Sequence, residues 1–199
     1  MRLSNELQTG KAGEYLVCAD LILNGYVAYP SEQGLPYDVI LDAKKLYRIQ
    51  VKTTGKPRRI PQRTKDSFAY MFNIKRHGNN NHLKKYDVDE VDIFALVALD
   101  SRIIAYLPNG AMRTTVNFRV PSLRGSYWDE IGTQIKSKVM GLKGSGLSCP
   151  EIAKKLNLKL SNVYKYSANV SLEQKGTNAG AYLDEFSLDK CMEQICREV

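Results

Sequence analysis

Apolar positions gather first at the end of one long run. From about Leu7 the polar residues thin out until Leu16, Val17, Ala19, Leu21, Ile22 and Leu23 crowd together, and Asn24-Gly25 follows them. This predicts a helix, because a glycine just past the last apolar turn is the usual C-terminal signal. The pattern then changes from clustering to alternation. "YVAYPS" (Tyr26 to Ser31), "YDVIL" (Tyr37 to Leu41) and "LYRIQVKT" (Leu46 to Thr53) read as strands joined by the turn signals "EQGLP" and "DAKK". Links this short predict an antiparallel meander. "GKPRRIPQRTKDS" reads as a basic loop broken by Pro57 and Pro61, and "FAYMFNIKR" then sets Phe68, Tyr70, Phe72 and Ile74 on one face. "RHGNNNHLKK" reads as a flexible polar connection. "VDIFALVALD" (Val91 to Asp100) is apolar at nearly every position, as a strand covered on both faces must be, and "RIIAYLP" answers it across the turn Asp100-Ser101. One helix and about six strands make an α/β core.

From Ser126 the period becomes helical. "SYWDEIGTQIKSKVMGLKGSG" opens on a capping pattern (Ser126, Asp129) and repeats Ile131, Ile135, Val139 and Leu142. In "LSCPEIAKKLNLKLSNVYKYS", Ser148 and Glu151 form a capping box around Pro150, and Ile152, Ala153 and Leu156 give an apolar face. Asn157 to Lys159 makes a turn, and Ser161 is placed to cap a second helix through Val163 and Tyr164. This is the helix-turn-helix pattern, in which the second helix meets a DNA groove. A helical hairpin that only packs on the core would read the same way. Leu188, Met192, Ile195 and Val199 then recur at steps of four, three and four, a seam for packing within the chain or for oligomerisation. The expected organisation is a core over 1–125, a helix-turn-helix segment over 126–170 and a C-terminal helix over 171–199.

Composition narrows the function classes. With 43% hydrophobic and 25% charged residues in 199, the chain has the make-up of a globular protein. No apolar run approaches the roughly 18 residues that a spanning helix needs, and "MRLSNELQTG" lacks the apolar centre of a signal peptide. A cytoplasmic protein without membrane contact is expected, of bacterial, organellar or phage origin. Cys18, Cys149, Cys191 and Cys196 form no CxxC pair, so reduced structural thiols are expected. The net charge of +8 is unevenly spread. Between Lys44 and Tyr86 stand thirteen Lys or Arg against one acid, Asp66, whereas Ser171 to Val199 holds three basic and six acidic residues. A positive segment beside a neutral remainder suits a polyanion, and double-stranded DNA is the leading partner. Lys56, Arg58, Arg59, Arg63, Lys75 and Arg76 are the expected phosphate contacts, and Ser161, Asn162, Tyr164 and Lys165 the expected contacts from the second helix of the appendage. The acids of "YDVDEVD" lack the spacing of a calcium loop and read as a solvated loop before a buried strand.

Gln50 and Lys52 lie two apart on one strand and therefore on one face. Asp38 starts the strand expected to pair with it, so the three side chains can converge at one end of a hairpin. A carboxylate beside an ammonium is the minimum kit for metal-assisted phosphodiester hydrolysis: the acid holds a hard cation and the lysine stabilises charge and orients the nucleophile. Glu14 breaks the apolar pattern of the first helix with an acid and is the candidate second carboxylate. A glutamine is a weak oxygen ligand, so the metal would rest on Asp38, Glu14 and a backbone carbonyl, that of Val51.

These residues carry a resemblance. "GKAGEYLVCADLILNGYVAYPSEQGLPYDVILDAKKLYRIQVKTT" is similar to the core of the PD-(D/E)XK nuclease superfamily, with Pro36-Tyr37-Asp38 near the family's PD and Gln50-Val51-Lys52 in place of its (D/E)XK. It covers about residues 8 to 110. The glutamine variant is most similar to the cyanobacterial group I intron homing endonucleases of that superfamily, and resolvase-like members share a similar start to the first helix. The resemblance implies a restriction-endonuclease-like core with a helix on a mixed sheet, and a Mg²⁺-dependent (or Mn²⁺-dependent) endodeoxyribonuclease leaving 3′-hydroxyl and 5′-phosphate ends. Glu14, Asp38, Gln50 and Lys52 would be catalytic. A site-specific homing endonuclease is the expected function. A restriction-type enzyme, a Holliday junction resolvase and an inactive sequence-specific DNA-binding protein are the alternatives. Two cuts in a duplex need two active sites, so a homodimer or homotetramer is expected.

Overall fold

The first helix, α1, runs over Asn5–Leu23. Its end is a Schellman arrangement: the Tyr26 N–H donates to the Leu21 carbonyl at 3.1 Å and the Gly25 N–H to that of Ile22 at 2.9 Å. Gly25 sits at φ 86°, where a side chain would be strained. The computed structural model describes residues 5–60, 68–77, 83–110, 115–124, 127–167 and 181–197. They form two compact units, Met1–Val120 with Leu172–Val199, and Pro121–Ser171.

In the first unit, β1 (Val27–Pro30), β2 (Val39–Ala43) and β3 (Lys45–Thr54) form the expected antiparallel meander. The β2 to β3 turn places Lys44 at φ 62°. β4 (Arg58–Arg59), β5 (Phe68–Asn73), β6 (Arg76–His77) and β7 (Leu83–Lys84) follow, then β8 (Ile93–Ala98), β9 (Ile103–Pro108) and β10 (Thr115–Arg119). β8 pairs parallel with β3 and antiparallel with β9, giving a mixed five-stranded sheet in the order β1-β2-β3-β8-β9. A second sheet has the order β10-β5-β4, and β6 pairs with β7.

The central strands are covered on both faces, which is why β8 is apolar throughout. Ile49, Val51, Ile93, Ala95 and Val97 pack with Val17 and Leu21 of α1. Phe94, Leu96 and Ala98 pack with Tyr70 and Phe72 of β5 and with Val116 and Phe118 of β10. The last helix, α5 (Leu188–Arg197), spends its apolar seam inside this unit: Leu188 and Cys191 are buried in the α1 cluster, with Met192 and Ile195 against it. Val199 lies outside the described residues.

Three expectations change. The basic loop contains β4, whose Arg58 and Arg59 pair with Ala69 and Phe68. The polar connection carries the arms of a hairpin, Arg76 opposite Lys84 and His77 opposite Leu83. β10 was not expected at all.

The second unit is helical: α2 (Tyr127–Gly144), α3 (Cys149–Lys155) and α4 (Leu160–Ser167). Val139, Ile152 and Val163, one from each helix, form its buried centre, with Ile135, Leu142, Leu147, Leu156 and Leu158 around them. At the start of α3 the Glu151 carboxylate accepts from the Ser148 N–H at 2.8 Å, the reciprocal half of a capping box. Just past α3, Asn157 sits at φ 49°, and the Leu158 N–H returns to the Ala153 carbonyl at 2.9 Å. α4 starts at Leu160, so Ser161 lies inside its first turn and is not the cap.

Candidate active site

Asp38 sits where β2 begins, and its backbone N–H donates to the Ile49 carbonyl of β3 at 2.9 Å. That bond fixes the hairpin register and carries the side chain across to the next residues of β3. One Asp38 carboxylate oxygen accepts from the Val51 N–H at 2.8 Å and from the Gln50 amide. The same Gln50 nitrogen donates to the Val51 carbonyl at 3.1 Å. Gln50 is only 7% exposed, so its amide is a built part of the site and not a solvated surface group.

Glu14 arrives from α1, and the reason α1 comes close enough is Gly13. A Cβ at Gly13 would stand 2.0 Å from Thr53 Oγ1 on β3, so only a glycine permits this approach. The Glu14 carboxylate accepts from Lys11 Nζ at 2.7 Å. Burial raises the Asp38 carboxyl above its ordinary value, and the Glu14 charge adds to it. The Val51 N–H, the Lys52 charge and the Gln50 amide pull the other way without cancelling the rise.

Lys52 follows on the same face of β3. Its Nζ donates to the Tyr86 hydroxyl at 2.7 Å and lies 4.9 Å from the centre of the Tyr86 ring. Burial lowers the Lys52 amine, opposed by the Asp38 charge. Burial also pushes the Tyr86 phenol up to about 12, so it stays protonated. Spacing gives no sign of Tyr86, which reaches Lys52 from 34 residues downstream and stands at the end of a basic run.

The structure thus sets an acid at the head of one strand against a Gln-x-Lys on the next, with a second acid on the helix packed against that strand. The PD-(D/E)XK endonuclease family matches residues 4–126. The chain belongs to this family. A solved structure of a bacterial homing endonuclease, I-Ssp6803I, is similar at 14% identity with a TM-score of 0.48, over 62% of this chain and 84% of that one. A comparison with curated proteins found no match.

PD-(D/E)XK endonucleases generally use divalent metal ions. Among the described residues, no three His, Cys, Asp or Glu side chains gather as a metal site. The residues that could hold an ion are therefore two carboxylates, Asp38 and Glu14, and the Val51 carbonyl, all hard oxygen donors. They fit such an ion: Asp38 is a partly buried acid whose charge is opposed by burial and by Glu14 and is offset only in part by Lys52, the Val51 N–H and the Gln50 amide.

The other expected contacts are scattered. Lys56, Arg58 and Arg59 are exposed, while Lys75 and Arg76 are partly buried. Arg76 is tied to Glu90 at 2.8 Å and lies over the Tyr86 ring, 5.6 Å from its centre. Arg63 lies outside the described residues. Ser161, Asn162, Tyr164 and Lys165 are all exposed on α4, on the side away from buried Val163. The acidic loop is not merely solvated: Asp92 accepts from the Arg48 backbone N–H at 2.8 Å and pairs with its guanidinium at 2.9 Å.

Proposed function

We propose that this PD-(D/E)XK endonuclease is a site-specific, Mg²⁺- or Mn²⁺-dependent DNA endonuclease of the homing type. The observation that carries the reading is the convergence of Asp38, Gln50 and Val51 at one carboxylate oxygen, with Lys52 beside them. Asp38, Glu14 and the Val51 carbonyl would hold the ion. What it supplies when bound is charge neutralisation at the scissile phosphate and a more acidic water. Gln50 would orient the attacking water in line with phosphorus. Lys52 would donate to the phosphate as negative charge develops; the water oxygen bonds to phosphorus as the P–O3′ bond breaks, and solvent protonates O3′, leaving a 3′-hydroxyl and a 5′-phosphate. The exposed Lys56, Arg58 and Arg59 suit phosphate contacts, and the exposed face of α4 suits base contacts. The homing assignment rests on the Gln-x-Lys variant, and a homodimer or homotetramer would bring the two sites that a double-strand cut needs.

Supercoiled plasmid carrying a randomised insert, incubated with Mg²⁺, Mn²⁺ or EDTA, tests this. Cleavage at discrete positions that EDTA abolishes is the expected result. Tight binding without cleavage under any metal would make the protein a DNA-binding factor instead.

A further inference from the structure

Lysine at a phosphodiester-cleaving centre is a flexible four-carbon stem, and ordering it costs on the order of 2 kcal/mol of rotamer entropy. Here the stem has an anchor. Tyr86 receives the Lys52 ammonium at 2.7 Å, and the Tyr86 ring is itself fixed from two directions. It packs edge-on against Phe94, with ring centres 5.5 Å apart at 73°. Phe94 is the residue of β8 in register with Gln50, so the ring is referenced to the strand that carries the site. Arg76 lies 5.6 Å from the ring centre, and Glu90 holds its guanidinium at 2.8 Å. Fixing so mobile a side chain through a hydroxyl on a braced aromatic serves no packing need that a phenylalanine would not meet.

We propose that Tyr86 is a positioning residue for phosphodiester cleavage: its hydroxyl accepts one Lys52 N–H and so aims the other two at the reacting phosphate, while Phe94 and the Arg76–Glu90 pair fix the ring. This rests on the nuclease reading above. It assigns Arg76 to the brace in place of the DNA backbone.

Tyr86→Phe is the direct test, because it keeps the ring, its contact with Phe94 and its face toward Lys52, and deletes only the hydroxyl. The single-turnover cleavage rate should fall roughly 10- to 100-fold, the loss expected for one hydrogen bond to a charged group. DNA affinity and melting temperature should stay at wild-type values. In a Lys52→Ala background, Tyr86→Phe should cause no further loss of residual nicking. A second readout needs no turnover: limited acylation with acetic anhydride, mapped by mass spectrometry, should label Lys52 faster in Tyr86→Phe than in wild type. Wild-type cleavage by Tyr86→Phe, an equal loss in the Lys52→Ala background, or unchanged acylation of Lys52 would each overturn the positioning role. A wild-type protein that cuts no DNA with either metal would instead overturn the nuclease reading, and this role with it.

Discussion

The surroundings of Asp38 and Lys52 work against the charged form of each. Burial raises the Asp38 carboxyl and lowers the Lys52 amine. A carboxyl raised on folding keeps its proton to higher pH in the folded state than in the unfolded chain. Stability therefore falls as pH rises through that window, and the whole cost stands above the folded value. For an amine lowered on folding the cost is present below the folded value and is relieved only as pH rises through it. In both groups burial outweighs mutual attraction, so the charged pair destabilises the fold it serves. The double variant Asp38→Asn/Lys52→Met should be inactive yet melt a few degrees above wild type in EDTA at pH 7. The gap should narrow as acid neutralises Asp38. A lower melting temperature would mark the pair as structural. The closeness of Asp38 and Gln50 was legible in the sequence, because a tight hairpin dictates which residues face each other. Tyr86 was not, since a loop residue reaching across 34 positions leaves no period to read.

At the level of elements, the contact that matters most is α1 on β3, and it is a matter of space. An ideal Cβ on Gly13 would lie 2.0 Å from Thr53 Oγ1 and 3.0 Å from its Cβ and Cγ2. Alanine is the better helix former by about 1 kcal/mol, but overpacking at such distances costs about 1 to 3 kcal/mol, so the clash wins. Gly13→Ala should lower the melting temperature, and it should also blunt stabilisation by Mg²⁺ or Mn²⁺ because Glu14 moves with the helix. Adding Thr53→Ala removes Oγ1 and Cγ2 and should recover part of both losses, a non-additive result that melts with and without metal would reveal. An additive pair would mean that α1 and β3 do not meet through these residues. The apolar run of α1 and the meander that follows it announce themselves by period. β4, β6 and β7 do not, since two residues cannot show alternation, and β10 pairs with β5 across 42 positions, from Thr115 to Asn73.

For the whole molecule, the order of the chain and its division in space differ. The first unit takes Met1–Val120 and then resumes at Leu172–Val199, so the helical unit is an insertion and not a tail. Cutting the chain after Lys138 would remove α5, whose Leu188 and Cys191 are buried with Val17 and Leu21, and would unfold the core along with the appendage. The two ends of the insertion offer a cleaner operation. The Arg119 N–H donates to the Ala181 carbonyl at 2.9 Å, so the chain leaves the first unit and returns to it side by side. Replacing residues 121–180 by a short glycine-serine linker closes that gap with little loop entropy. The shortened protein should fold, keep metal-dependent nicking at high concentration and lose most of its site preference, while the Lys138 truncation should be insoluble or inactive. Cleavage mapping on a random library would read the preference. A linker variant that cuts with undiminished selectivity would move DNA reading out of α4 and into the nuclease core, where Lys56, Arg58 and Arg59 would have to supply it.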